Sequence, residues 1–175
     1  MDALVVGGDS MIGKKLASYI GAASTTRRGK DGLFYDLGLS KPETLPNAKV
    51  IYLVASMTRF RDCEISPDAY AVNVDAQVAI AAYHSKAHIV YLSSEAAEWA
   101  NQTAYGAQKR ACELSLLAVC GYSRLCVVRP RKVLPEAVDS LIVYLSHIGK
   151  NRSVGVHRWD WEPALRLQSI SGVVA

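Results

Sequence analysis

Four short apolar runs, rich in β-branched residues, recur along the chain: Ala3–Val6 and residues 49–54, 88–92 and 125–128. None alternates apolar with polar residues. A strand with one wet face would alternate, whereas a strand covered on both faces need not, and double coverage is the mark of a parallel sheet. Helical spacing fills the intervals. Ile12, Leu16 and Ile20 recur every fourth residue before Gly21, and Gly is a natural residue just past a helix end. An alanine-rich run to about residue 86 follows Ser66-Pro67-Asp68, which reads as an N-cap with proline in first helical position. Further helical runs reach Cys120, ahead of Gly121, and cover residues 135–148. Strand alternating with helix predicts an α/β doubly wound parallel sheet, in one domain, as 175 residues suit. The sheet domain is expected over residues 1–148. Residues 149–175, with Trp159, Trp161 and Pro163, read as an irregular C-terminal extension, part of a truncated substrate region. The loop at residues 57–65 reads as polar and mixed.

Composition excludes several classes. Half of the residues are hydrophobic and 21% charged, enough apolar mass for an ordinary globular core. The net charge of +4 is scattered, and no basic stripe is interleaved with aromatics, which argues against nucleic-acid binding. Cys63, Cys112, Cys120 and Cys126 show neither C-x-x-C spacing nor a nearby histidine pattern, so buried reduced thiols are expected rather than a metal site or disulfides. No apolar run reaches membrane-spanning length and no secretory leader is evident, so a cytoplasmic protein without a membrane partner is expected.

The first strand ends in Gly7-Gly8-Asp9-Ser10-Met11-Ile12-Gly13 and a helix opens at once. A phosphate-cradling turn needs a glycine for the tight bend, a small residue where backbone meets the anion, and a glycine where helix packs on strand. Gly7, Ser10 and Gly13 fit these places. The Ser10 hydroxyl could bond a phosphate oxygen, and the Met11-Ile12 helix start would offer amides and a favourable dipole. The alternative is a plain strand–helix turn. After the second strand, at residues 22–26, comes Thr26-Arg27-Arg28 with no acid. An acid there would suit ribose hydroxyls, whereas arginines suit a phosphate on that ribose; a solvated loop pair is the other reading. Asp36, beside Leu37, is a candidate acceptor for an adenine amino group. Val54-Ala55-Ser56, Ser93-Ser94 and Arg129 lie at strand ends, where ligands bind in such sheets. Asn73, in the alanine-rich helix, is expected to face solvent, to bend the helix or to anchor a water.

Tyr105 and Lys109 open the next helix at i and i+4, stacked on one face. An ammonium beside a phenol would lower its pKa toward neutrality and poise it for proton transfer. A chance surface pair has the same spacing.

Taken in order, Gly7-x-x-Ser10-x-Ile12-Gly13, Val54-Ala55-Ser56, Val72-Asn73-Val74, Leu92-Ser93-Ser94, Tyr105-x-x-x-Lys109 and Arg129-Pro130 resemble the short-chain dehydrogenase/reductase superfamily. The likeness is to its extended branch of NAD(P)-dependent sugar-nucleotide epimerases, dehydratases and reductases. Ser10 stands where that family has a glycine. The resemblance implies a Rossmann-like fold and an NAD(P)-dependent oxidoreductase, epimerase or dehydratase acting on a sugar-nucleotide-like carbonyl or alcohol. Tyr105 would be general acid/base and Ser94 its partner on the substrate oxygen. Lys109 would lower the Tyr105 pKa and hold the nicotinamide ribose, and Asn73 and Arg129 would join the cofactor site. NADP(H) is expected to be favoured over NAD(H). The family also implies a homodimer through the helix after Pro67 (Ala71, Ala81, Ala82) and the Tyr105 helix (Leu114, Leu117, Ala118). A second reading is a non-catalytic NAD(P)-binding sensor or scaffold.

Overall fold

The structure, a computed structural model, describes residues 1–29, 32–131 and 133–160. The expectations for Trp161 and Pro163 lie outside the described residues. The elements run β1 (Ala3–Val6), α1 (Met11–Ile20), β2 (Ala23–Thr26), β3 (Leu33–Phe34), β4 (Val50–Leu53), α2 (Phe60–Ile65), α3 (Ala76–Tyr83), β5 (His88–Leu92), α4 (Ala104–Cys120), β6 (Leu125–Pro130), α5 (Val138–Asn151) and β7 (Gly155–Trp159). All strand pairs are parallel, in the order β3-β2-β1-β4-β5-β6-β7.

The unalternating apolar runs are explained by the two cores. Leu4, Val6, Ile51, Leu53, Ile89, Tyr91, Leu125 and Val127 face one side, where they meet Ile80 and Ala81 of α3 and Cys112, Leu116 and Cys120 of α4. Their neighbours Val5, Tyr52, Val90, Leu92, Cys126 and Val128 face the other side, against Leu16 of α1 and Leu141, Leu145 and Ile148 of α5. Burying such a Leu, Ile or Val side chain contributes about 1.5–3 kcal/mol. Strand order reverses between β1 and β4, because β2 and β3 lie to one side and β5 to β7 to the other. The two strands' carboxyl ends, bridged by Val54 and Ala55 amides donating to the Val6 carbonyl oxygen at 3.0 and 2.9 Å, bracket the crevice where such sheets bind ligands.

Three local expectations are corrected. The polar stretch before Ser66 contains a helix, α2, and Ser66 is its C-cap. The stretch after Gly149 is not irregular throughout: α5 runs to Asn151, and Gly155–Trp159 extends the sheet as β7, paired along its whole length with β6. Ala81 is buried in the core, so it belongs to no second helix surface. The four cysteines are free and buried. No described helix is long and apolar enough to cross a membrane.

Candidate cofactor and active site

The carboxyl ends of β1, β2, β4, β5 and β6 open into one groove of about 640 Å³. At its floor, Gly7 turns with φ 116°, a conformation that L side chains rarely adopt. Gly13 lets α1 approach the turn, since a Cβ there would lie 2.1 Å from the Gly7 carbonyl oxygen. The Gly8 amide donates to the Thr25 carbonyl oxygen at 2.8 Å, fastening the turn to β2. Helix α1 opens directly after this turn, which puts the positive end of its dipole beside the Gly7 bend. A bare glycine cradle at a helix start fits a dinucleotide pyrophosphate.

Ser10 caps α1, its hydroxyl oxygen accepting from the Gly13 amide at 3.0 Å. Its proton goes to the Gly7 carbonyl oxygen at 2.8 Å. The expectation that this hydroxyl donates to a phosphate is therefore corrected: Ser10 lines the groove but spends its proton inside the turn.

Beyond β2, Arg27 and Arg28 line the groove with exposed side chains. The expectation of a β2 end without an acid is also corrected. Asp9, from the glycine turn, accepts from the Thr26 hydroxyl at 2.6 Å and from the Arg27 amide at 2.8 Å. The Thr26 hydroxyl, aided by the Arg27 amide, holds the Asp9 carboxyl below its usual pKa. Asp36 accepts from the Gly38 amide at 2.9 Å and lines the same end with Leu37 and Tyr35.

At the other end stand Ser94, Tyr105 and Lys109. Thr103 caps α4 by accepting from the Gly106 amide at 3.0 Å, which sets Tyr105 in the first turn. Lys109 is buried, and its ammonium donates to the Leu92 carbonyl oxygen at 3.0 Å. It lies 4.9 Å from the Tyr91 ring centroid and 5.7 Å from that of Tyr105. Burial pulls the Lys109 pKa down to about 8. Burial also pushes the Tyr105 phenol above its ordinary value, against a lowering hydrogen bond with the Ser94 side chain. The expected drop toward neutrality is thus reversed: desolvation of the buried phenolate is the largest effect on this group.

Neither a family model nor a curated protein sequence matches this chain. Solved structures do. MoeE5 in complex with UDP-glucose and NAD is 16% identical, with a TM-score of 0.72 over 92% of this chain and 76% of that one. A dTDP-4-dehydrorhamnose reductase from Bacillus anthracis str. Ames in complex with NADP is 14% identical, with a TM-score of 0.75 over 91% and 75%. Another dTDP-4-dehydrorhamnose reductase, from Yersinia enterocolitica, is 17% identical, with a TM-score of 0.75 over 90% and 74%. The fold is theirs. It is the Rossmann-like fold that the sequence resemblance implied.

Of the expected residues, Gly7, Ser10, Ile12, Thr26, Arg27, Arg28, Asp36, Leu37, Val54, Ala55, Ser56, Ser94, Tyr105 and Lys109 line the groove. Four do not. Met11 is exposed and borders a separate hollow between α1 and α5. Gly13 is buried under the turn. Arg129 is clasped by Glu113 and Glu98.

Asn73, expected to face solvent, to bend its helix or to anchor a water, is fully buried in a π-helical turn over Ala71–Asp75. Its side chain accepts from the Met57 amide at 2.7 Å and donates to the Gln108 side-chain oxygen at 2.7 Å. Gln108 donates in turn to the Cys63 carbonyl oxygen at 3.1 Å. This chain of bonds holds the α2 stretch against α4, where the Phe60 ring lies tilted against that of Tyr105 with centroids 5.4 Å apart. Asp9, Tyr35, Met57, Thr58, Phe60 and Arg131 were not singled out from sequence. Only Asp9, inside the glycine turn, carried a local signal.

Proposed function

We propose that the chain is an NAD(P)-dependent oxidoreductase, or an epimerase or dehydratase, of the extended short-chain dehydrogenase/reductase kind, acting on a carbonyl or alcohol of a nucleotide-linked sugar. The observation that carries this reading is the shared groove: the Gly7 cradle and the Ser94–Tyr105–Lys109 group open into one cavity. The likeness to two dTDP-4-dehydrorhamnose reductases and to a protein in complex with UDP-glucose and NAD supports it. NADP(H) is favoured over NAD(H) because Arg27 and Arg28 project at the β2 end. The working unit is a homodimer paired through α3 and α4.

The bound nicotinamide supplies or takes up hydride. The rest falls to the chain. Tyr105, its pKa raised by burial, presents a neutral phenol at working pH and donates its proton to the substrate oxygen as negative charge gathers there. The Ser94 hydroxyl holds the same oxygen, a preorganised dipole aimed at developing charge. The Lys109 ammonium, fixed by Leu92, stabilises the phenolate left behind. The Phe60 ring packs at a tilt against the Tyr105 ring.

The test is Tyr105→Phe, assayed for NADPH oxidation with a panel of keto-sugar nucleotides. It keeps the ring against Phe60 and removes only the transferable proton. Turnover should fall by roughly 10²–10⁴-fold, with NADPH affinity unchanged. Full activity in a folded, cofactor-bound variant would overturn the assignment and leave the sensor or scaffold reading.

A further inference from the structure

The β2 end of the groove carries a charge arrangement that the residues after β2 do not explain alone. Asp9 reaches it from the glycine turn. One carboxylate oxygen accepts from the Thr26 hydroxyl and the other from the Arg27 amide. The Thr26 oxygen accepts in turn from the Arg28 amide at 3.0 Å. The carboxylate is therefore fixed in orientation by two groups of the β2 end, the Thr26 hydroxyl and the Arg27 amide. An ionised carboxylate offers about four acceptor positions, and two are used here, so each oxygen keeps a free lone pair. Asp9 lines the groove between Gly7 and the exposed Arg27 and Arg28 side chains. Neither arginine makes an ion pair among the described residues.

Resting on the dinucleotide reading above, we infer that Asp9 is a specificity-determining residue: its carboxylate accepts from the adenosine ribose hydroxyls and limits how strongly Arg27 and Arg28 favour a 2′-phosphate. The chemistry is two-sided. A vicinal diol donates two O–H groups and pairs well with a fixed carboxylate. A 2′-phosphate is acceptor-only at neutral pH and carries a charge of the same sign as Asp9, so it gains from the arginines and loses to the aspartate. The site then accepts both cofactor forms, and the NADP(H) preference set by the arginines is narrower than two unopposed guanidinium groups would give.

The inference is tested by calorimetric binding of three probes: ADP-ribose, its analogue lacking the adenosine 2′-hydroxyl, and its adenosine 2′-phosphate. The wild-type chain should bind ADP-ribose roughly tenfold more tightly than the 2′-deoxy analogue, the lower end of what one hydrogen bond to a charged group supplies. In Asp9→Asn that gap should close. The ratio of 2′-phospho to unphosphorylated affinity should rise by about tenfold, as expected for removing a like charge from a partly solvated phosphate site. Equal wild-type affinities for ADP-ribose and the 2′-deoxy analogue would overturn the inference without any variant. An unchanged phospho ratio in a folded Asp9→Asn protein would do the same while leaving the dinucleotide reading intact. Failure of the wild-type chain to bind any of the three would overturn both.

Discussion

The Lys109 ammonium is fastened to the backbone carbonyl of Leu92, with Nζ 3.0 Å from the oxygen. The link ties the first turns of α4 to the carboxyl end of β5, immediately before Ser93 and Ser94. It makes Lys109 a strut as well as a charge. A buried ammonium costs solvation, which is why its pKa falls from 10.5 to about 8.

Lys109→Met should therefore show a pH-dependent stability difference from wild type in urea unfolding. The folded chain holds this proton less tightly than the unfolded chain, so between pH 8 and pH 10.5 the unfolded state binds more protons and wild-type stability rises relative to the variant. Turnover and cofactor affinity should both fall, unlike in Tyr105→Phe. A stability difference flat across that window would show that Lys109 is not desolvated by folding.

The arginine pair makes a second prediction. Replacing Arg27 and Arg28 together with alanine should weaken NADPH by roughly ten- to a hundredfold, the equivalent of about 1.5–3 kcal/mol for a charge-assisted hydrogen bond. NADH affinity should hardly change. Equal losses for both cofactors, by fluorescence titration, would show that these side chains do not read the 2′-phosphate.

What the sequence shows and what it hides divide along the range of the forces. The β1–Gly7–α1 unit was legible because an apolar run, a glycine turn and four-residue spacing are all local. Helix α2 was not. It has six residues, with Arg61, Asp62 and Glu64 among them, and its stretch is anchored by Asn73 and Gln108, which bond Met57 and Cys63 from distant helices. β7 escaped notice because it is largely exposed. It is held instead by its pairing with β6 and by the Arg158–Glu98 ion pair at 2.8 Å. The groove's polar residues at strand ends were readable because the sheet's geometry sends strand ends there. The direction of the Tyr105 shift was not, since i,i+4 spacing reports nearness but not desolvation. Asp9 was overlooked for a similar reason: its partners Thr26 and Arg27 lie 17 and 18 residues away.

The dimer proposal rests on helix surface that the core leaves uncovered. Leu114 and Val119 on α4 and Tyr83 at the end of α3 are exposed large hydrophobics, while Ala81 is turned inward. Sedimentation at micromolar concentration should give a dimer, and Leu114→Glu should shift it toward monomer by placing a charge at a self-complementary interface. A wild-type monomer under those conditions would refute the pairing.

Arg129 gives the last prediction, and it separates a structural role from the cofactor role that the family resemblance implied. Its guanidinium grips Glu113 at two points, Nε on Oε1 at 2.8 Å and Nη2 on Oε2 at 2.5 Å, and reaches Glu98 at 3.3 Å. Glu113 is buried and also accepts from the Ser93 hydroxyl at 2.6 Å, so the pair braces the strand end that carries Ser94. Arg129→Met strands the Glu113 carboxylate, and breaking one side of a buried pair costs about 3–5 kcal/mol. The half-exposed Arg110, 3.2 Å from Glu113, should hold the loss toward the lower end. Adding Glu113→Gln to Arg129→Met should restore part of the stability, because the stranded charge is gone. NADPH affinity of the folded Arg129→Met protein should equal wild type. A tenfold weaker NADPH affinity with stability intact would return Arg129 to the cofactor wall.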